Sequence, residues 1–173
     1  MAPVDQHPDE REAIRARLTA TRTGFHDLLR GLTDEDLRRP SGNPAWTIGA
    51  VLTHLVWSLE LLPREVASAR KGKGMFNFPQ TLRDLLNAQG TRLAARGQTL
   101  QSLRRRYDAA ADAALATLEG VRDDELHLGA RFWGEGFRDI AGLYHAQVDH
   151  LAEHGDAVRR AAASRAPAAG AAV

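Results

Sequence analysis

The sequence predicts an all-α protein folded as a four-helix bundle. Apolar residues recur at three- and four-residue spacing over four long segments, as on the buried face of an amphipathic helix. No segment shows the sustained period-two alternation that is typical of a strand. The 173 residues are enough for one domain with a substantial core. We therefore expect an up-down bundle with a long connection between the second and third long helices.

The first two helices have clear starts. The first is predicted to begin at Pro8, since proline is tolerated in the first turn and the acidic Asp9 and Glu10 suit the positive end of the helix dipole. The second should begin after Thr47, a favourable N-cap. The apolar positions that define them are Ile14, Leu18, Phe25, Leu28, Leu29 and Leu32 in the first helix, and Ile48, Val51, Leu52, Leu55, Val56, Leu59 and Leu62 in the second. The second set covers a wide face, so we expect this helix to be the most buried.

The long connection is predicted over residues 64–98. A glycine-containing loop with an apolar patch covers residues 70–79. Beyond it, leucines keep a helical spacing, but Gly90 and Gly97 interrupt the pattern. The segment is too long for a tight hairpin between helices, so we expect it to cross over part of the bundle.

The third and fourth long helices are predicted over about Thr99–Glu119 and Asp139–Ala162. Residues 122–136 between them are expected to be irregular. In domain terms, residues 1–7 would be an N-terminal arm and residues 8–162 the bundle. The Ala-rich residues 163–173 would be a tail that is disordered at its end.

Composition narrows the classes of function. With 23 basic and 22 acidic residues the net charge is +1, which argues against nucleic acid or an anionic membrane as a partner. The absence of cysteine excludes disulfides, thiolate nucleophiles and Cys-ligated metals. We see no secretory signal at the N-terminus, and the longest apolar stretch is too interrupted to span a membrane. We expect a cytoplasmic protein that acts on a small molecule.

Three histidines are the candidate metal ligands. His150 and His154 are four residues apart in the fourth helix, so their rings lie one turn apart on one face and can chelate an ion. His54 lies on the buried face of the second helix, where a single histidine is usually a core residue with a hydrogen-bond partner. In a bundle it could instead complete a three-histidine site. Such a site suits Zn²⁺, Ni²⁺ or Fe²⁺ and leaves a position for water or substrate.

The segment from Pro44 to Leu55, PAWTIGAVLTHL, resembles the start of the second helix in the DinB-like (damage-inducible) four-helix-bundle superfamily. That motif has a tryptophan, a serine or threonine, several apolar positions and then His-Leu. The pair His150-x-x-x-His154 is similar to the second motif of the superfamily. The resemblance covers residues 8–162 and implies that His54, His150 and His154 are the metal ligands.

The resemblance also implies a function. The superfamily includes thiol-dependent enzymes that use mycothiol or bacillithiol, and many members are dimers. We therefore expect a homodimeric, metal-dependent thiol S-transferase that acts on a small electrophile. Zn²⁺ or Ni²⁺ is the expected metal, Fe²⁺ is a third candidate, and a low-molecular-weight thiol is the expected cosubstrate. His150 stands where the maleylpyruvate isomerase branch has a carboxylate, so a mycothiol-dependent isomerase is not favoured.

Two other functions remain open. The protein could bind a metal or small ligand without turnover, as a stress-response protein. Glu153 also completes an H-x-x-E-H pattern found in inverted zinc peptidases, but those enzymes are much larger, and a glutamate at the rim is favoured instead. The sequence assigns no catalytic residue. Candidate pocket residues beside the metal ligands are Trp57, Phe132, Trp133 and Glu153.

Overall fold

The computed structural model describes residues 8–164. The bounds of the helices are α1 Pro8–Arg30, α2 Ile48–Ala69, α3 Gln80–Ala94, α4 Leu100–Glu119 and α5 Ile140–Ala163, and the strands are β1 Gly129–Phe132 and β2 Gly136–Asp139. The predicted arm, residues 1–7, and residues 165–173 of the predicted tail lie outside the described residues. No helix of the described part is long and apolar enough to cross a membrane.

Four long helices form the bundle, and the prediction of a predominantly all-α fold is confirmed. α2 packs against α4 and α5, and α1 packs against the same two helices. In this arrangement α1 and α2 occupy opposite corners, as do α4 and α5. The connections over residues 31–47 and 120–139 are therefore long because each must cross an end of the bundle.

The core lies on the predicted apolar faces. Every apolar position named above for the first two helices is at most 8% exposed. α2 has thirteen buried residues, against eight in α5 and six in α4, so it is the more central helix, as its wide apolar face predicts. Its N-terminus is capped by the Thr47 side chain, which accepts a hydrogen bond from the Ala50 N–H. The helix continues past Pro63 to Ala69.

The long connection contains a helix that faces outward. α3 packs on α2, but Leu82, Leu85, Leu86 and Leu93 are 42–65% exposed, so their helical spacing does not mark a core face. At Gly90, inside this helix, there is no room for a side chain, because a Cβ there would lie only 3.0 Å from the Trp57 ring. The glycine that interrupts the helical pattern thus permits close contact with α2.

A small hairpin replaces the irregular segment that was predicted before the fourth helix, so the expectation of no strands was wrong at this point. β1 and β2 pair in antiparallel register, with Phe132 opposite Gly136. Each strand has four residues, which is too short for a recognisable alternation. Gly134 and Gly136 adopt positive φ in and after the turn, a conformation that glycine allows without steric cost.

A matched pair of substitutions tests which leucines form the core. Leu52 in α2 is fully buried, whereas Leu85 in α3 is 55% exposed. We expect Leu52→Ala to lower the free energy of unfolding by about 2–5 kcal/mol, because it leaves a cavity, and Leu85→Ala to change it by about 0.5 kcal/mol or less. Urea unfolding followed by circular dichroism measures both values. Equal losses would show that α3 packs its leucines into the core.

Candidate metal centre

α2 and α5 bring His54, His150 and His154 together. One ring nitrogen from each lies within 4.8 Å of the others, and the ring centroids are 4.6–5.3 Å apart. The closest pair is His54 Nε2 and His150 Nε2, at 2.9 Å. His150 and His154 meet because they are one turn apart on α5, and His54 reaches them because α2 and α5 pack against each other.

A polar network between the two helices orients His150. The Ser58 hydroxyl donates to Gln147 Oε1 at 2.9 Å, and Ser58 Oγ lies 3.1 Å from His150 Nδ1. Since the hydroxyl has only one proton, its oxygen is free to accept from His150 Nδ1–H. That tautomer leaves the lone pair of His150 Nε2 directed at the cluster. Hydrogen bonding at the second ring nitrogen is the usual way in which proteins orient a metal-binding histidine.

Burial keeps the three imidazoles neutral. Burial, together with a smaller repulsion between the rings, lowers the pKa of His54 to about 4 and that of His150 to about 3. Burial also lowers the pKa of His154, although the nearby Glu153 carboxylate opposes this shift. All three rings are therefore neutral at pH 7, which is the form that binds a metal.

The donor set fits a divalent transition metal. Zinc–imidazole bonds are about 2.0–2.1 Å long, so two nitrogens on one tetrahedral ion lie about 3.3 Å apart. The 2.9 Å between His54 Nε2 and His150 Nε2 is a few tenths of an ångström shorter, so a small movement of the rings would bring them to that separation. Trp46 covers one side of the cluster, with its ring centroid 4.7 Å from that of His54 and 6.2 Å from that of His154.

The cluster lies at one end of a cleft of about 740 Å³. Along its floor α2 contributes His54, Ser58, Leu61 and Glu65, which lie on one face because they are spaced by four, three and four residues. Of the residues expected in the pocket, Trp57, Trp133 and Glu153 line this cleft. Phe132, which was expected there as well, is instead fully buried in the core, because the hairpin packs this last residue of β1 against the bundle.

Sequence reasoning missed Glu65. Its side chain lines the cleft, yet the residue is only 3% exposed. The Trp133 indole N–H donates to Glu65 Oε1 at 2.6 Å. Burial raises the pKa of the Glu65 carboxyl, an effect that this hydrogen bond partly offsets. A signal was present in the sequence: Glu65 follows His54 by eleven residues, three helical turns, on the same face of α2.

Comparison with protein families identifies a match over most of the chain. The family model described as the DinB superfamily matches residues 17–158, a range that includes α2, the cleft and all three histidines. The search of curated proteins found no match.

The neutral histidines predict a pH dependence in the metal-free protein. Because burial lowers the pKa of His54 and of His150 in the folded state, the unfolded chain binds more protons between about pH 6.5 and 4. The free energy of unfolding should therefore fall as the pH drops through this range. In His150→Gln it should fall less steeply, because one such group is gone. Urea unfolding at several pH values, with chelator present, measures both slopes, and identical slopes would contradict the prediction.

Proposed function

The chain belongs to the DinB superfamily, and we propose that it is a metal-dependent thiol S-transferase that binds one divalent ion through His54, His150 and His154. The observation that carries the proposal is the position of the cluster: three neutral imidazoles lie at the end of an open cleft large enough for a small substrate. Zn²⁺ or Ni²⁺ suits this donor set best, and Fe²⁺ is a third candidate.

The thiol has to come from a cosubstrate, because the chain contains no cysteine. When bound, a divalent metal lowers the pKa of a thiol ligand and holds the thiolate. In the overall reaction the thiol loses its proton, a carbon–sulfur bond forms with the electrophile, and the leaving group departs with its electron pair. A low-molecular-weight thiol and a small electrophile would share the cleft.

The chain's own residues would bind and orient these reactants. Ser58 and Gln147 hold the His150 ring in one tautomer. The indole ring of Trp57 lines the cleft wall and would exclude water from an apolar substrate. Glu153, at the rim beside His154, would accept a proton from a thiol that enters the cleft.

A second candidate is a protein that binds metal or a small ligand without turnover. The direct contact between His54 Nε2 and His150 Nε2 favours it, because the two rings can satisfy each other by a hydrogen bond without an ion.

A homodimer and a cytoplasmic location also belong to the proposal. The first rests on the superfamily resemblance and the second on composition.

Metal content tests the site. We expect untagged protein, reconstituted with zinc and dialysed, to retain close to one equivalent. His54→Ala and His150→Ala should each lose most of it, because two remaining imidazoles bind far more weakly than three. His145→Ala is the matched control, since His145 is on α5 but contacts Arg17 instead of the cluster. Inductively coupled plasma mass spectrometry gives the content. A full equivalent in His54→Ala would show that the three histidines do not form one site.

Turnover distinguishes the two candidates. Metal-loaded protein should accelerate thioether formation between 1-chloro-2,4-dinitrobenzene and at least one thiol of a low-molecular-weight panel. We expect a rate at least about tenfold above that of chelated protein or of His150→Ala, since a metal-held thiolate is more populated than a free thiol at pH 7. Absorbance of the thioether product measures the rate. Stoichiometric metal without acceleration of any thiol, with this and a second electrophile, would favour the non-catalytic candidate.

A further inference from the structure

The cleft contains a second group of residues, away from the histidines. We define the distal subsite as Glu65, Phe76 and Trp133, all of which line the cleft. Glu65 is 97% buried (3% exposed), and one of its carboxylate oxygens accepts the Trp133 indole N–H. A carboxyl group this deeply buried is uncommon without a charged partner, and no ion pair within 4 Å is formed by Glu65 among residues 8–164.

The two aromatic residues of the distal subsite are held in a strained conformation. Phe76 and Trp133 both have positive φ, 56° and 57°, which is rare for bulky side chains. Their rings stack with centroids 4.3 Å apart and planes inclined by 17°. Asn77 fixes this arrangement, since its amide donates to the Arg131 carbonyl at 2.8 Å and accepts from the Gly134 N–H at 2.9 Å. Strain of this kind persists where the surrounding contacts over-determine it, often at ligand sites.

The charge of the cleft favours a cation. Its lining includes five carboxylates, from Glu65, Asp84, Glu135, Asp149 and Glu153, but only two guanidinium groups, from Arg83 and Arg138. The whole chain, by contrast, has a net charge of +1. Both arginines are already engaged: Arg138 donates to Glu135 at 2.9 Å, and Arg83 donates to the Trp133 carbonyl oxygen. Two of the carboxylates are also paired, Glu135 with Arg138 and Asp149 with Arg17, which leaves those of Glu65, Asp84 and Glu153 without an ion pair among residues 8–164. An anionic ligand would thus find few free donors, whereas a cation would find carboxylates and aromatic faces.

We propose that the distal subsite binds the ammonium group of an elongated primary amine, with Glu65 as its counter-ion and the Phe76 and Trp133 rings beside it. Arg138 lowers the pKa of the Glu65 carboxyl from a longer distance but forms no ion pair with it within 4 Å. An ammonium would supply that direct charged partner, because each of its N–H groups can donate to a carboxylate oxygen. Along α2 the distance from His54 to Glu65 is about 16 Å, so the far end of such a molecule would reach the histidines. The identification of this amine as a reactant rests on the proposed function, but its binding does not.

Titration with a simple amine tests the subsite. The probes are n-hexylammonium and n-hexanol, which match in length and differ in charge, and isothermal titration calorimetry measures both affinities at pH 7. We expect wild-type protein to bind n-hexylammonium at least about tenfold more tightly than n-hexanol, and Glu65→Gln to lose that difference. Glu60→Gln is the control, because Glu60 is on the same helix but pairs with Arg106 outside the cleft. It should bind both probes as the wild type does.

Three results would overturn the proposal: equal affinities for the two probes, unchanged discrimination in Glu65→Gln, or tighter binding of n-hexanoate, which would assign the subsite to anions.

If circular dichroism shows that Glu65→Gln does not fold, Phe76→Leu replaces it, and its affinity for n-hexylammonium should fall at least about threefold through loss of the aromatic face. Zinc content is measured on the same samples. If the protein binds n-hexylammonium more tightly than n-hexanol but retains no zinc, only the metal-dependent function is refuted. If it retains zinc but binds the two probes equally, only the distal subsite is refuted.

Discussion

The packing of α2 against α5 is the constraint from which both the core and the candidate site follow. This interface contains polar groups that must find partners away from water. They find them across the interface: His54 and Ser58 on α2 contact His150 on α5, and Ser58 reaches Gln147 as well. Because every contact of this network joins the two helices, the register that packs the core also sets the geometry of the histidines.

The segments outside the four long helices form the rest of the cleft. The loop over residues 70–79 and α3 contribute little to the bundle core, whereas the hairpin supplies Ala130 and the fully buried Phe132 to it. Asn77 joins this loop to the hairpin, and Gly74 allows them to approach, because a Cβ there would collide with the Arg131 carbonyl oxygen. The result is an aromatic wall at the end of the cleft farthest from the histidines. Local strain at Phe76 and Trp133 is therefore concentrated in the part of the molecule that shapes the cavity.

The long helices and the three histidines could be predicted from the sequence because both depend on helical periodicity. The apolar faces of α1 and α2 are buried as predicted, and the spacing of His150 and His154 places them on one face of α5. That they and His54 would be ligands came from the resemblance to the superfamily. Periodicity misled for α3, whose leucines share a face that covers no core. It could not identify the hairpin either, since strands of four residues have no measurable period.

Glu65 shows a different limit of sequence reasoning. A glutamate in an apolar helix is ordinarily placed on the solvent side, as Glu60 is. The spacing of eleven residues from His54 puts Glu65 on the cleft face of α2, but it does not show that the carboxyl group is buried. Trp133, 68 residues later in the chain, covers Glu65, and its indole N–H replaces a hydrogen bond that the carboxyl would otherwise make to water. Trp133 itself has an unusual backbone conformation, with a positive φ. Such a pairing depends on tertiary structure and on a strained turn, neither of which composition or spacing encodes.

Under the proposed function the histidine cluster has two forms, one with a hydrogen bond between His54 and His150 and one with a bound ion. Without an ion, a His54–His150 hydrogen bond contributes about 1 kcal/mol. This gain is small beside the cost of removing three imidazoles from water. Burial holds their pKa values below pH 7, so an ion would displace no proton from the rings, unlike binding to ligands that must first deprotonate. In the proposed metal-bound form, three coordinate bonds would replace that one hydrogen bond. Folding has already desolvated these polar rings, and under the proposal a metal ion would compensate for that cost.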